Sequence, residues 1–255
     1  MSQPASQQDA TSTTQVSGQS PSHPSRTTEL ASLKIRLRAA LRQFPDFPSP
    51  GILFEDIMPI FADPTLHEAL IRCLELHIIE IYGQKPDVIV GLEARGFLFG
   101  PSLALKLGAS FVPVRKQGKL PGPCETEVYQ KEYGQDFFQM QADALKKGQR
   151  VVVVDDIIAT GTVTPPFLSS PPLLVIPSIC LCGGCSRARA CNHPNAVTNM
   201  NGTLGGSASA AGSLVQKLGA ELLGFVFILE LDFLKGREKL PAPVFTLLHG
   251  QEGKP

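Results

Sequence analysis

The chain has 255 residues, with 23 lysines and arginines against 23 aspartates and glutamates, so its formal net charge is zero. That length accommodates one α/β domain with additions, or two small domains. The balanced charge argues against bulk electrostatic capture of nucleic acid or an anionic membrane, so any anion site must be built locally from a few cations and backbone amides.

Residues 1–28 are mostly Ser, Thr, Gln and Pro and have almost nothing to bury, so a disordered tail is expected. They contain no hydrophobic leader core, and Arg26 alone is too little for a transit peptide. No apolar run approaches the ~20 residues of a membrane-spanning helix, and the prolines of Thr162–Pro177 forbid a continuous helix there. The expectation is a soluble, cytoplasmic protein whose six cysteines are reduced. A folded domain is predicted over 29–249, interrupted at 162–205 and followed by a short tail, 250–255.

Order begins near Glu29, with Leu33, Leu37, Ala40 and Leu41 at helical spacing. Phe44–Gly51 reads as an irregular arm, because its prolines suit neither a helix nor a central strand. Asp63-Pro64-Thr65 starts a helix whose apolar stripe is Leu66, Leu70, Leu74 and Ile78. Asp87–Gly91 reads as a buried strand, Phe97–Leu107 as a helix stopped by Gly108, and Ser110–Arg115 as another strand. Val151–Asp156 is the clearest strand, four valines ending in two carboxylates. A helix over Ala210–Leu218 and a strand over Leu223–Leu231 close the series. Alternating strands and helices predict a doubly wound, mostly parallel sheet flanked by helices, with its site at the carboxyl ends of the strands.

Thr162–Gly205 breaks this rhythm with more than forty residues of neither period, which is foreign to a compact domain. Its Cys180, Cys182, Cys185, Cys191 and His193 offer metal-ligand chemistry, but their spacing fits no familiar zinc pattern, and chance clustering is the preferred reading. A zinc-dependent regulatory insertion is the alternative.

Asp155-Asp156 followed by Ile157-Ile-Ala-Thr-Gly161 carries the most chemistry. Two carboxylates at a strand end suit the vicinal hydroxyls of a ribose, since ionised carboxylates accept hydrogen bonds. Thr and Gly let successive backbone N–H groups close around a phosphate, and a following helix adds the field of its N-terminus. An ordinary strand end with solvated aspartates is the plainer alternative.

This stretch resembles the phosphoribosyl-pyrophosphate (PRPP) loop of the type I phosphoribosyltransferases. Several further motifs resemble the adenine phosphoribosyltransferases in particular, especially fungal ones: Phe44-Pro-Asp-Phe-Pro, Gly51-Ile-Leu-Phe-Glu-Asp-Ile, Gly91-Leu-Glu-Ala-Arg-Gly-Phe-Leu-Phe-Gly-Pro, Val114-Arg-Lys-Gln-Gly-Lys-Leu-Pro-Gly, Tyr129-Gln-Lys-Glu-Tyr-Gly and Glu230-Leu-Asp-Phe-Leu-Lys-Gly-Arg-Glu-Lys-Leu. The likeness runs in order from about residue 33 to about 249, apart from the irregular stretch.

The resemblance implies a type I phosphoribosyltransferase fold with a small hood or lid, here Gly118–Gly134. It also implies purine salvage, in which adenine and PRPP give AMP and pyrophosphate, with Mg²⁺ entering as Mg-PRPP, in a homodimer. Glu132 takes the place of the family's catalytic glutamate, with Tyr133 beside it. Leu53, Phe54 and Glu55 fall at the adenine face. Arg95, Arg115, Lys116 and Lys119 supply positive charge to the leaving group, some of them to a neighbouring subunit. Asp155 and Asp156 take the ribose hydroxyls, and Ala159, Thr160, Gly161, Gly206 and Ser207 take the 5′-phosphate. In the family the peptide before the first of these arginines tends to be cis, here Ala94–Arg95. Another purine base, or a catalytically impaired PRPP-fold regulator, are the alternatives.

Excising Thr162–Gly205 restores the family's Ala-Thr-Gly-Gly-Ser run, so a retained intron is the expected origin of the segment. A phosphate nest needs consecutive amides, so this separation of Gly161 from Gly206 should raise the cost of ordering it and weaken PRPP binding.

Overall fold

The computed structural model describes residues 25–47, 53–131, 134–158, 204–230, 237 and 240–249. Five helices and nine strands lie within them: α1 (Arg26–Ala40), β1 (Arg42–Pro45), β2 (Leu53–Asp56), α2 (Met58–Ala62), α3 (Pro64–Tyr82), β3 (Val88–Leu92), α4 (Gly96–Leu107), β4 (Ser110–Lys116), β5 (Cys124–Lys131), β6 (Gly134–Gln141), β7 (Arg150–Ile158), α5 (Leu204–Lys217), β8 (Glu221–Glu230) and β9 (Val244–Leu248). Seven strands form one sheet in the order β5-β6-β4-β3-β7-β8-β9. The β4-β3-β7-β8-β9 portion is parallel, and β6 and β5 extend it as an antiparallel hairpin. This is the mostly parallel, helix-flanked sheet that the alternating pattern implies.

The run Val151-Val-Val-Val shows why β7 is central. Successive side chains of a strand point to opposite faces, and here both faces are covered. Val152 and Val154 enter one core with Leu70, Leu74, Phe99 and Leu103, while Val151 and Val153 enter a second with Ala211, Leu214 and Val215. Helices α1 to α4 thus cover one face and α5 the other. All four valines are fully buried, each contributing roughly 1.5–3 kcal/mol relative to exposure.

Helix α3 begins where Asp63 accepts hydrogen bonds from the Thr65 and Leu66 amides, with Pro64 at the first helical position. It ends at Gly83, whose left-handed backbone (φ 63°) glycine adopts without a side-chain clash. Helix α4 lies very close to the sheet. A β-carbon built on Gly96 would come within 2.8 Å of the Val154 carbonyl oxygen, and one on Gly100 within 2.6 Å of the Phe111 ring.

Four details depart from the sequence reading or add to it. Phe44 and Pro45 are not irregular arm but the end of β1, paired antiparallel with β2. Proline is tolerated because it is terminal in a two-stranded ribbon, where no interior ladder bond is lost. Residues 118–134 contain a strand, since Cys124–Lys131 pairs along its whole length with β6. The cis peptide is Glu93–Ala94, one bond earlier than expected. Arg95 already has helical backbone (φ −77°, ψ −27°) as the N-cap of α4, so the irregular bond precedes it. Helix α5 also begins at Leu204, six residues before the apolar spacing suggested. Among the described residues no helix is long and apolar enough to cross a membrane, and Cys73 and Cys124 are free thiols.

Candidate active site

Strand β7 delivers Asp155 and Asp156 to the carboxyl edge of the sheet, where they are 9% and 1% exposed. The N-cap of α4 brings Arg95 across from the neighbouring β3 connection, and its Nε lies 2.8 Å from Asp156 Oδ2. The contact is ionic rather than an aligned hydrogen bond, because neither Asp156 oxygen has a hydrogen-bond partner among the described residues. Burial pushes the Asp155 carboxyl well above its ordinary range, and the Asp156 charge adds to that. Burial also raises Asp156, with Arg95 opposing it. Two buried carboxylates at a strand end, one of them with neither oxygen hydrogen-bonded among the described residues, form a receptor for hydroxyl donors.

A second charge cluster sits at the end of β4. Glu93 Oε1 accepts from Arg115 Nη2 at 3.0 Å and Lys119 Nζ at 2.7 Å, while Oε2 accepts from the Lys116 backbone N–H at 3.3 Å. Arg115 Nη1 also donates to the Lys119 carbonyl at 3.1 Å, drawing the turn back onto the strand. Burial alone would raise the Glu93 carboxyl, but the hydrogen bonds from Arg115, Lys119 and the Lys116 amide outweigh it and bring it down to about 2. The Lys116 ammonium points elsewhere, 3.9 Å from Asp136 on β6.

Leu53, Phe54 and Glu55 lie on the separate β1–β2 ribbon. Phe54 meets Phe47 edge to face at 5.3 Å. Glu55 is buried, accepts from Gln43 Nε2 at 3.0 Å, and leaves its other oxygen without a hydrogen-bond partner among the described residues. Gly206 and Ser207 fall in the first turn of α5, whose four leading amides have no intrahelical acceptor. Gly206 is buried against the Tyr129 ring of β5, and a β-carbon there would fall inside that ring. Glu132, Tyr133, Ala159, Thr160, Gly161 and the Cys/His cluster lie outside the described residues.

The structure therefore joins Arg95 to Asp156 and gathers Arg115 and Lys119 into one cluster. Glu93 and Tyr129, which sequence reasoning left without a role, stand among these groups. Glu93 was discoverable as the acidic residue two positions before Arg95, and Tyr129 opens the Tyr129-Gln-Lys-Glu-Tyr-Gly motif, but nothing in the sequence tied it to Gly206.

A family model described as the phosphoribosyl transferase domain matches residues 61–163. The adenine phosphoribosyltransferase of Yarrowia lipolytica is 51% identical over 224 residues, covering 88% of this chain and 99% of the relative. Adenine phosphoribosyltransferase 1 of Saccharomyces cerevisiae is 48% identical, covering 88% and 96%. The chain belongs to the adenine phosphoribosyltransferase family. Its members are pentosyl-transferring enzymes, and the chain is similar in structure to the crystallised S. cerevisiae adenine phosphoribosyltransferase bound to D-2,5-dideoxy-2,5-imino-altritol 1,6-bisphosphate and adenine, with a TM-score of 0.66 and 48% identity over 86% of this chain and 99% of that one. The family-model match ends at Val163, two residues beyond Gly161, where the irregular segment begins.

Proposed function

We propose that the protein is a purine-salvage enzyme that joins adenine to PRPP, giving AMP and pyrophosphate, and that its edge carboxylates and cation cluster divide that work. The observation that carries the reading is the pair Asp155 and Asp156, buried at the end of β7 with Arg95 against them. The fungal relatives and the adenine-bound yeast structure support the choice of base.

Asp155 and Asp156 accept the ribose 2′- and 3′-hydroxyls, and a hydroxyl donor offsets the desolvation that raises their affinity for protons. Gly206 and Ser207, with Ala159, Thr160 and Gly161, close their amides around the 5′-phosphate. Arg95, Arg115, Lys116 and Lys119 stabilise the charge that builds on the departing pyrophosphate as the sugar becomes oxocarbenium-like. Mg²⁺ bound to PRPP would neutralise part of that charge, and the hard carboxylate oxygens of Asp155 and Asp156 would suit its neighbourhood. Glu132 takes the adenine ring proton as the base bonds to C1, with Tyr133 beside it, and Leu53, Phe54 and Glu55 frame the base. The reading includes a cytoplasmic homodimer in which some cations serve the adjacent active site.

The test is adenine-dependent AMP formation by the purified chain, alongside a version lacking residues 162–205. AMP formed by either, with guanine, hypoxanthine and xanthine as poor competitors, is the expected result. No AMP from both, or preference for another base, removes the assignment.

A further inference from the structure

Glu93 has no part in the reaction outlined above, yet it is the point through which the leaving-group cations are held. Its backbone amide donates to the Val114 carbonyl at 3.0 Å, tying the end of β3 to the end of β4. From there its carboxylate meets one cation from the strand, Arg115, and one from the following turn, Lys119, both on the same oxygen. A guanidinium and an ammonium this close repel one another, and without an anion between them they would separate into solvent. With Glu93 present, two long and flexible side chains are gathered at one place before any substrate arrives. The Lys116 amide, held by the other carboxylate oxygen, fixes the strand end between them.

We propose that Glu93 is a positioning residue that pre-assembles Arg115 and Lys119 into a single binding unit for the diphosphate group of the substrate. The inference rests on the assignment of those cations to pyrophosphate. Glu93 itself touches no reacting atom. Two cations sharing one carboxylate keep a net positive charge, so a diphosphate still finds attraction there, and the ordering of both side chains has been met in advance. Arg115 Nε, buried and without a hydrogen-bond partner among the described residues, adds a donor of the same cluster that is not satisfied by Glu93.

A rival reading has the opposite sign: Glu93 could be an internal anion that competes with pyrophosphate for the same two cations. The two separate cleanly. Titrating the full-length chain with inorganic pyrophosphate and Mg²⁺ by calorimetry, then repeating with E93Q and E93D, reads the cluster without adenine chemistry. Pre-assembly predicts that E93Q binds pyrophosphate about tenfold more weakly and raises KM for PRPP in parallel, while KM for adenine stays within about twofold. E93D keeps the charge on a shorter stem and should recover part of the loss, whereas a general loss of folding would lower the active fraction and leave both KM values alone. Equal binding by E93Q, or by E93A should E93Q not fold, removes the role of Glu93; tighter binding by the charge-free variant makes it a competitor. If the unaltered chain binds no pyrophosphate, the assignment of the cations fails first, and the two failures are thus told apart.

Discussion

Two kinds of carboxylate occupy the carboxyl edge of the sheet. Asp155 and Asp156 are buried, with Arg95 on Asp156 as the ion pair they make among the described residues, and burial drives their proton affinity up. Glu93 and Glu230 are saturated. Glu230 accepts from Arg237 Nε at 2.7 Å and Nη2 at 2.5 Å, and from Thr246 Oγ1 at 2.9 Å, which brings its carboxyl down to about 2. The difference separates work on a ligand from work on the protein. A carboxylate short of partners is held for something that arrives, and one with a full set holds its neighbours in place.

Substitutions sharpen this contrast. The largest effect is expected at Asp156→Asn, where kcat/KM for PRPP should fall by about 10²–10³, as for loss of one preorganised polar contact in a closed site. Steady-state kinetics with varied PRPP checks it, and near-normal turnover would break the division. Glu230→Gln should instead destabilise the fold by about 2 kcal/mol, because a buried, charge-assisted network loses its acceptor. Since the Glu230 carboxyl is lowered on folding, its stabilisation is present above the ordinary value of 4.5 and is lost as pH falls from there toward about 2. Denaturant melts of the variant and the unaltered chain should therefore converge in acid.

Removal of residues 162–205 should tighten PRPP binding by about tenfold or more, since the two halves of the phosphate nest are then consecutive in sequence. Titration of both versions decides the matter, and equal affinity refutes it. Asp155→Asn should weaken PRPP binding by about tenfold yet raise stability by about 1 kcal/mol near neutral pH, as substitution of a strained functional group often does. The sign follows from a carboxyl whose proton affinity is raised on folding. Its ionised form costs stability as pH climbs through the folded-state value, and the gain from Asn vanishes below the ordinary 3.8, where both states are protonated. The smallest effect belongs to Arg42→Ala at the exposed pair with Asp56, at most ~1 kcal/mol in the same melts.

The parallel core was legible because its signals are local. Four consecutive valines can only be a strand buried on both faces, and the apolar stripe of α3 has an N-cap aspartate before it and a glycine after it. The β5–β6 hairpin was hidden because its edge strand β5 is mostly polar, with Glu125, Thr126, Glu127, Gln130 and Lys131, and so carries no sustained apolar face to mark it. Strand β9 escaped for a different reason: only its pairing with β8 distinguishes Val244–Leu248 from a short apolar tail. The carboxylates and arginines of the site could be named from their motifs. Their partners could not, because Glu93 with Lys119 and Arg95 with Asp156 are 26 and 61 positions apart and meet only through the sheet.

Arg95 reaches Asp156 from a helix that rests on bare backbone. Between α4 and the strands below it, the separation at Gly96 is set by a hydrogen atom against the Val154 carbonyl. A single methyl there would act as a shim, lifting the start of the helix and carrying the guanidinium with it. The alignment of Arg95 with Asp156 at the edge of the sheet is thus gauged from underneath, by a residue with no side chain.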